Sequence, residues 1–204
     1  MKKDLSFYEF VALIIPSVVL LFSMNFILTL QGNKSFFDFS NIGESIIFLC
    51  FSYAIGHIIQ GVGNFFEYIV WKAHGGMPTK WLFKPNRFKE KLFDEDFTNK
   101  IKLKIEAEYQ DVNSETDYGM RIYTKLFLKK QTDRIDIFSG NYSLFRGLAV
   151  VFFIISTYLF ADSNLEFGFI CVFCFFISLI RMIRFGKYYA KEIFRTYMCY
   201  NEKL

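Results

Sequence analysis

The chain has 204 residues, of which 53% are hydrophobic and 21% are aromatic, and its formal net charge is +4. The mean hydropathy is +0.25, and a soluble domain of this size cannot hide so much aromatic surface from water. The composition therefore argues against a soluble domain and favours a membrane protein, while the charge is too weak to indicate nucleic-acid binding.

Four apolar stretches are long enough to cross a bilayer, because about 20 consecutive apolar residues span its hydrocarbon core. They cover residues 7–30, 42–71, 142–161 and 165–183. The sequence thus predicts an all-α integral membrane protein with four transmembrane helices and a helical cytoplasmic insertion. The predicted parts are residues 1–71 with helices one and two, 72–140 with the insertion, 141–184 with helices three and four, and 185–204 with an amphipathic cytoplasmic tail.

The first stretch follows Lys2 and Lys3, a pattern that also begins secretory signal peptides. The apolar run is longer than the core of a signal peptide, and no A-x-A cleavage pattern follows it, so we expect a retained span. Pro16 lies in the first half of this run and predicts a kink, because proline removes one helical hydrogen bond.

The second stretch is apolar, yet its second half carries small and polar residues. These residues are Gly56, His57, Gln60, Gly61, Gly63, Asn64 and Glu67. On a helix of 3.6 residues per turn, all of them except Gly61 fall on one arc of roughly 120°. The pattern predicts a membrane helix with one apolar side and one side that meets something polar.

Two interpretations of this arc stay open. In the first, its polar side chains line a water-filled pore or cavity, since an ionisable group within a span indicates a functional site. Those side chains are His57, Gln60, Asn64 and Glu67. In the second, the polar groups form hydrogen bonds across a tight helix interface, which Gly56, Gly61 and Gly63 allow by removing side-chain bulk.

The central segment opens with a loop in which basic and aromatic residues alternate, a pattern typical of chain lying on anionic headgroups. Asp96 is then expected to cap a helix that runs to about Gln110, with apolar residues recurring every four positions. Ser114 followed by Asp117 predicts the start of a second helix. The two helices are expected to form a hairpin.

The third and fourth stretches add one ionisable residue and one cysteine pair. Arg146 lies near the start of the third stretch, at a depth similar to that of Glu67, so an ion pair between the two helices is predicted, with contact between Arg146 and the lipid phosphates as the alternative. Cys171 and Cys174 have C-x-x-C spacing, but they lie in an apolar run without a second pair. We therefore expect no metal site and no cofactor.

The distribution of Lys and Arg predicts the orientation of the chain. Residues 72–140 contain 14 basic residues, and the tail after residue 180 is also basic, whereas the turn at residues 162–164 has none. By the positive-inside rule, both termini and the central segment are cytoplasmic. A composition rich in Lys, Ile, Phe and Asn suits a bacterial cytoplasmic (inner) membrane.

Enzyme motifs are missing from the sequence. The chain has two histidines and lacks the H-E-x-x-H, G-x-S-x-G and P-loop patterns. We therefore do not expect an enzyme, although a membrane enzyme acting on lipid is a third, weaker hypothesis.

The layout of a few spans, a helical cytoplasmic part and no catalytic motif resembles small accessory membrane proteins of bacterial antiphage systems. Such proteins commonly oligomerise and disturb the membrane when triggered. The resemblance implies a homo-oligomeric pore or membrane-perturbing effector that contacts membrane lipids. The alternative function is a membrane-anchored adaptor or sensor, which recruits a cytosolic protein partner through its central helices and tail.

Overall fold

The computed structural model describes residues 10–32, 34, 37, 41–109 and 116–200. Every secondary-structure element in these ranges is helical, which confirms the all-α prediction. A π-helical turn at Phe10–Ile14 and a 3₁₀ turn at Pro78–Lys80 accompany six α-helices. The helices are α1 (Ile15–Leu30), α2 (Ile42–His74), α3 (Glu95–Glu108), α4 (Tyr118–Leu128), α5 (Asp133–Ala161) and α6 (Leu165–Tyr200).

Four of the described helical stretches are long and apolar enough to cross a membrane. They contain α1, α2, α5 and α6, and the mean hydropathy of their most apolar windows lies between 1.7 and 2.4. Three of these helices are longer than the predicted spans, α2 by only three residues. Helix α5 begins at Asp133, before the apolar run, and α6 continues through the basic tail as far as Tyr200. The tail is therefore a continuation of the fourth apolar helix.

The start of α1 shows how the chain accommodates Pro16. Proline cannot donate a backbone hydrogen bond, and the π-helical turn ends at Ile14, so Pro16 falls in the first turn of the α-helix, a position that tolerates proline. The Ser17 hydroxyl donates to the carbonyl oxygens of Leu13 at 2.8 Å and Ile14 at 2.9 Å. The predicted irregularity thus takes the form of a change of helix type.

The described residues fall into two compact units. The first, called the bundle unit here, contains the residues up to Glu67 together with Gly140–Met182. Its core is a cluster of branched aliphatic side chains on α2 and α5, against which residues of α1 pack. The buried members of this cluster are Ile59, Val150, Val151, Ile155 and Leu159.

The second unit, called the central unit, contains Tyr68–Ser139 and the residues from Ile183 onward. Its core contains fully buried side chains from α3, α4, α5 and the second half of α6. These include Ile101, Ile105, Ile122, Leu126, Ile135, Ile193 and Phe194. The tail therefore forms part of the same hydrophobic core as the central helices.

The N-terminal caps of α3 and α4 differ from expectation in one case. Helix α3 is capped by Asp94, whose carboxylate accepts a hydrogen bond from the Phe97 backbone at 3.2 Å, so the prediction of Asp96 as the cap is wrong. A cap bonds the backbone three positions on, and Asp94 is the residue with extended backbone there. Helix α4 is capped by Asp117, and the predicted role of Ser114 lies outside the described residues.

The end of α6 is held by polar contacts within the central unit. The Lys104 ammonium donates to the carbonyl oxygens of Tyr197 at 2.9 Å and Met198 at 3.0 Å, which a helix leaves without donors in its last turn. The Tyr197 hydroxyl donates to Glu108 at 2.8 Å, and Lys125 pairs with the same carboxylate. These contacts join α3 and α4 to the tail.

Candidate functional site

The polar residues of the bundle unit meet at the side chain of Gln60. Its amide nitrogen donates to the carbonyl oxygens of Ala12 and, at 3.1 Å, of Ser143. In an α-helix the carbonyl of Ala12 would receive the N–H of residue 16, but residue 16 is proline. Gln60 thus supplies Ala12 with a donor that Pro16 cannot provide, and it joins the π-helical turn to α2 and α5.

Arg146 completes this cluster, which we call the Arg146 centre (Gln60, Glu67 and Arg146). Its guanidinium donates from Nε at 3.1 Å and from Nη2 to the Gln60 side-chain oxygen. Its Nη1 donates to Glu67 and forms an ion pair with it. The side chains of Arg146 and Glu67 retain 10% and 20% of their exposure. The two residues that the sequence predicts as an ion pair therefore lie in contact.

Three glycines permit the close approach of helices around the Arg146 centre. A Cβ added at Gly56 would lie 2.5 Å from the Leu13 carbonyl oxygen, and one added at Gly63 would lie 3.0 Å from the Arg146 side chain. A Cβ added at Gly147 would lie 2.8 Å from Pro16. A larger residue at Gly56 would collide with backbone, and one at Gly63 would displace the Arg146 side chain, so both glycines allow close packing in the bundle unit.

The other residues of the predicted polar arc point away from the bundle unit. His57 and Asn64 are exposed, and so is Gly61, where an added Cβ would meet no atom within 4 Å. The residues of the predicted arc therefore do not share one exposed face in the described protomer. Gln60 is 8% exposed and bonded within its own unit, and Gly61 packs against nothing in the described protomer.

The division of the arc has a simple geometric cause. With Gly56 at zero and 100° per residue, Glu67 and Gln60 lie at roughly 20° and 40°, whereas Asn64 and His57 lie at roughly 80° and 100°. The edge of the buried face of α2 falls between these two pairs. An arc of about 120° is wide enough to have one half inside the bundle and the other half outside it.

The exposed part of α2 has its own regular pattern. Five exposed positions recur at alternating spacings of four and three residues, which places them on one line along the helix. We call these positions the outward face of α2, and they are Cys50, Ala54, His57, Gly61 and Asn64. All five are small or can form hydrogen bonds. By contrast, the neighbouring exposed residues Phe51, Ile58 and Phe65 are large and apolar.

The chemistry of the two groups differs accordingly. The Arg146 centre is a satisfied hydrogen-bond network with little access to water, which suits a structural role in joining three helices. His57 contacts the Tyr53 ring edge to face, with centroids 4.9 Å apart. His57 and Glu67 are separated by about 15 Å along the helix axis, too far for direct acid–base cooperation. Among the residues that the structure describes, no group of three His, Cys, Asp or Glu is placed to hold a metal ion.

Sequence reasoning missed three residues that lie against the Arg146 centre. Gly147 directly follows Arg146, Ser143 contributes only its backbone carbonyl, and Ala12 contributes the carbonyl that Pro16 leaves without a donor. A sequence signal existed for Ala12, because a proline in an apolar helix frees the carbonyl four residues earlier. No side-chain pattern could have indicated Ser143.

Comparisons of the chain with protein-family models, with curated protein sequences and with solved structures returned no match.

Proposed function

We propose that this protein inserts into a membrane through its four long apolar helices and self-associates along the outward face of α2. The resulting homo-oligomer encloses a polar path and acts as a pore or membrane-perturbing effector. The observation that carries the proposal is the line of small and hydrogen-bonding residues on the exposed side of an apolar helix.

The first support is the energetic cost of leaving this face in lipid. Hydrocarbon offers no hydrogen-bond partner to the imidazole of His57 or the amide of Asn64, and burying such groups without partners costs several kcal/mol each. The chain places both residues away from its own polar centre. Contact with a second copy or with water in a pore removes this cost.

The second support is the spacing of the face. Alternating steps of four and three residues are the pattern with which two helices pack side by side in a left-handed pair. Small residues such as Ala54 and Gly61 allow the backbones of membrane helices to approach closely. Copies that share one orientation in a membrane are related by rotation about its normal, so the same residues of each copy come together.

The Arg146 centre restricts which residues can line a path. Gln60 and Glu67 are held by Arg146 inside each protomer. The lining is therefore assigned to His57 and Asn64, with Gly61 and Ala54 providing space between them. The path that we propose is short and lined by neutral hydrogen-bonding groups, and Glu67 contributes no carboxylate to it.

Cross-linking tests the self-association directly. In a variant with the other three cysteines replaced by serine, Cys50 is the remaining thiol, and oxidation in membranes should produce a disulfide-linked dimer. The matched control moves the thiol by one position, with Cys50→Ser and Phe51→Cys, which rotates it by roughly 100°. Equal cross-linking of the two variants would refute the proposed face.

Ion flux tests the pore. Purified protein in liposomes should pass ions, and His57→Ala or Asn64→Ala should change the flux while Phe65→Ala, an exposed residue off the outward face, should not. Liposomes that stay tight with cross-linked oligomers present would rule out the pore and leave the self-association standing.

The cellular setting is part of the same proposal. The basic central segment and tail favour an orientation with both termini in the cytoplasm, and the composition rich in Lys, Ile, Phe and Asn suits a bacterial inner membrane. Labelling of an engineered cysteine at residue 100 in intact and permeabilised cells distinguishes the two orientations. The role in antiphage defence, which the architectural resemblance implies, stays a prediction that plaque counts on cells with and without the protein can test.

A second candidate function is a membrane-anchored adaptor, favoured by one observation in the central unit. Helix α4 buries one face but leaves Met120, Phe127 and Leu128 exposed by 50%, 59% and 78%. A cytosolic protein with an apolar groove would cover this surface. The adaptor function predicts that Phe127→Ser with Leu128→Ser abolishes the biological effect while liposome flux is unchanged. The pore function predicts that His57→Ala changes both the flux and the biological effect.

A further inference from the structure

The central unit contains a cavity of about 600 Å³ between the loop that follows α2 and the first half of α3. Its apolar wall includes Trp81 and Leu82, which are 7% and 5% exposed, and the ring of Phe83. Three lysines line it, namely Lys89, Lys91 and Lys102. The cavity thus combines an aromatic wall with a basic edge.

The loop that carries Lys89 is held in a defined shape. The buried side chain of Asn86 donates to the Glu90 carbonyl and accepts from the Glu90 backbone N–H, both at 2.9 Å. The two hydrogen bonds keep Lys89 in the left-handed region at φ 54°, a conformation that is strained for a residue other than glycine. These hydrogen bonds and the backbone conformation together hold Lys89 in the lining of the cavity.

The charges around the cavity do not cancel. Of its two glutamates, Glu95 is paired with Lys91 and Glu90 is paired with Lys187. Within the described part of the chain no carboxylate pairs with Lys89 or Lys102, and the Lys102 ammonium lies 5.8 Å from the Phe83 ring centroid. Lys89 and Lys102 therefore line the same cavity without an ion-pair partner among the described residues, because both of its glutamates are paired with other lysines.

We propose that this cavity binds a phosphate ester with an apolar or aromatic portion. The phosphate would accept hydrogen bonds from Lys89 and Lys102, because lysine ammoniums are common phosphate ligands. The remainder of the molecule would contact Phe83 and Trp81. Two sources share this chemistry: the headgroup of an anionic phospholipid and a soluble nucleotide. The proposal is independent of the pore, since the whole cavity belongs to the central unit.

Tryptophan fluorescence provides the measurement, because the chain has two tryptophans and Trp81 is in the cavity wall. In a Trp71→Phe variant, Trp81 alone reports. The full chain in phosphatidylcholine nanodiscs is titrated with adenosine monophosphate, and in parallel it is placed in nanodiscs with increasing phosphatidylglycerol. A saturable change in one series supports the site and identifies the source, and no saturable change in either series overturns it.

A matched pair of lysine variants separates the site from general surface charge. Lys89→Gly and Lys130→Gly each remove one positive charge at a residue with positive φ, and Lys130 lies outside the cavity. Both should unfold no more easily than the parent, because glycine relieves the strain. Lys89→Gly should weaken binding roughly tenfold, the effect of one charge-assisted contact, while Lys130→Gly leaves it unchanged. Equal losses would overturn the proposal.

Discussion

Replacing Arg146 by methionine tests whether the Arg146 centre holds the bundle unit together. The substitution keeps an unbranched apolar stem of similar length and removes the guanidinium. It leaves the Glu67 carboxylate and the Gln60 side-chain oxygen without the donors that they have in the parent. Gln60 keeps its bonds to Ala12 and Ser143, so the loss falls on the charged part of the centre.

The expected magnitude follows from the burial of the pair. Removing one partner of a fully buried ion pair costs about 3–5 kcal/mol, whereas an exposed pair contributes about 0.2–1 kcal/mol. The side chains of Arg146 and Glu67 are 10% and 20% exposed, close to but not at the buried limit. We therefore expect Arg146→Met to lower the free energy of unfolding by about 2–3 kcal/mol.

A double-mutant cycle separates the pair from the packing of each side chain. The double variant Arg146→Met with Glu67→Gln removes both charges, and pairs of this kind are often close to neutral when both partners are replaced. It should therefore be more stable than the two single losses imply, with a coupling energy of about 1 kcal/mol or more. The measurement is unfolding of the protein in mixed detergent micelles with increasing denaturing detergent.

The control is Arg181→Met in the same unit. Arg181 is exposed, and its guanidinium carbon lies 5.2 Å from the Phe145 ring centroid, so its removal should cost less than about 1 kcal/mol. If Arg146→Met costs no more than Arg181→Met, or if the double-mutant cycle shows no coupling, the argument that the ion pair stabilises the bundle unit fails.

Three further predictions concern glycine packing, helix capping and the pH dependence of stability. Gly56→Ala should lower the free energy of unfolding by about 2 kcal/mol, because its Cβ would meet the Leu13 backbone. Gly61→Ala should instead raise that of the monomer by up to about 1 kcal/mol, and similar unfolding curves for the two variants would contradict this. Asp94→Ala should lower the free energy of unfolding by about 1 kcal/mol, because it removes the helix cap. Asp96→Ala should lower it by about 0.5 kcal/mol, because Asp96 is only a negative charge in the first turn, and the reverse order would restore Asp96 as the cap. Burial opposes ionisation of Glu108, but hydrogen bonds from Lys125 and Tyr197 outweigh it and lower its pKa. Its stabilising effect should therefore be complete well above the ordinary value of 4.5 and disappear as pH falls through the lowered pKa. Unfolding of Glu108→Gln beside the parent at several pH values measures this, and a difference that persists in acid would contradict it.

The helical class and the four apolar helices could be predicted from the sequence, because both depend on local properties. A run of apolar residues specifies a long helix wherever it is placed, and polar breaks such as Gly75, Gly76 and Pro78 end it. The Glu67–Arg146 pair could also be predicted, since two opposite charges at similar depth in neighbouring apolar stretches have few other ion-pair partners.

The cap of α3 shows where local reasoning becomes ambiguous. Three acidic residues follow one another at positions 94–96, and each could accept a backbone hydrogen bond at a helix start. The choice depends on which residue has extended backbone, and that is set by the loop that precedes the helix. Composition alone therefore locates the cap only to within two residues.

The polar arc of α2 shows which features follow from the sequence and which depend on the tertiary structure. The alternation of residue types along the chain determines that glycines, amides, His57 and Glu67 share a sector of the helix, because that sector follows from 100° per residue. Which part of the sector is buried depends on where α1 and α5 lie against α2, and the periodicity of one helix contains no information about its neighbours. The Ala12 carbonyl, freed by Pro16, and the guanidinium of Arg146 attract Gln60 and Glu67 inward. The tertiary structure thereby leaves His57, Gly61 and Asn64 exposed on the outside of the bundle unit.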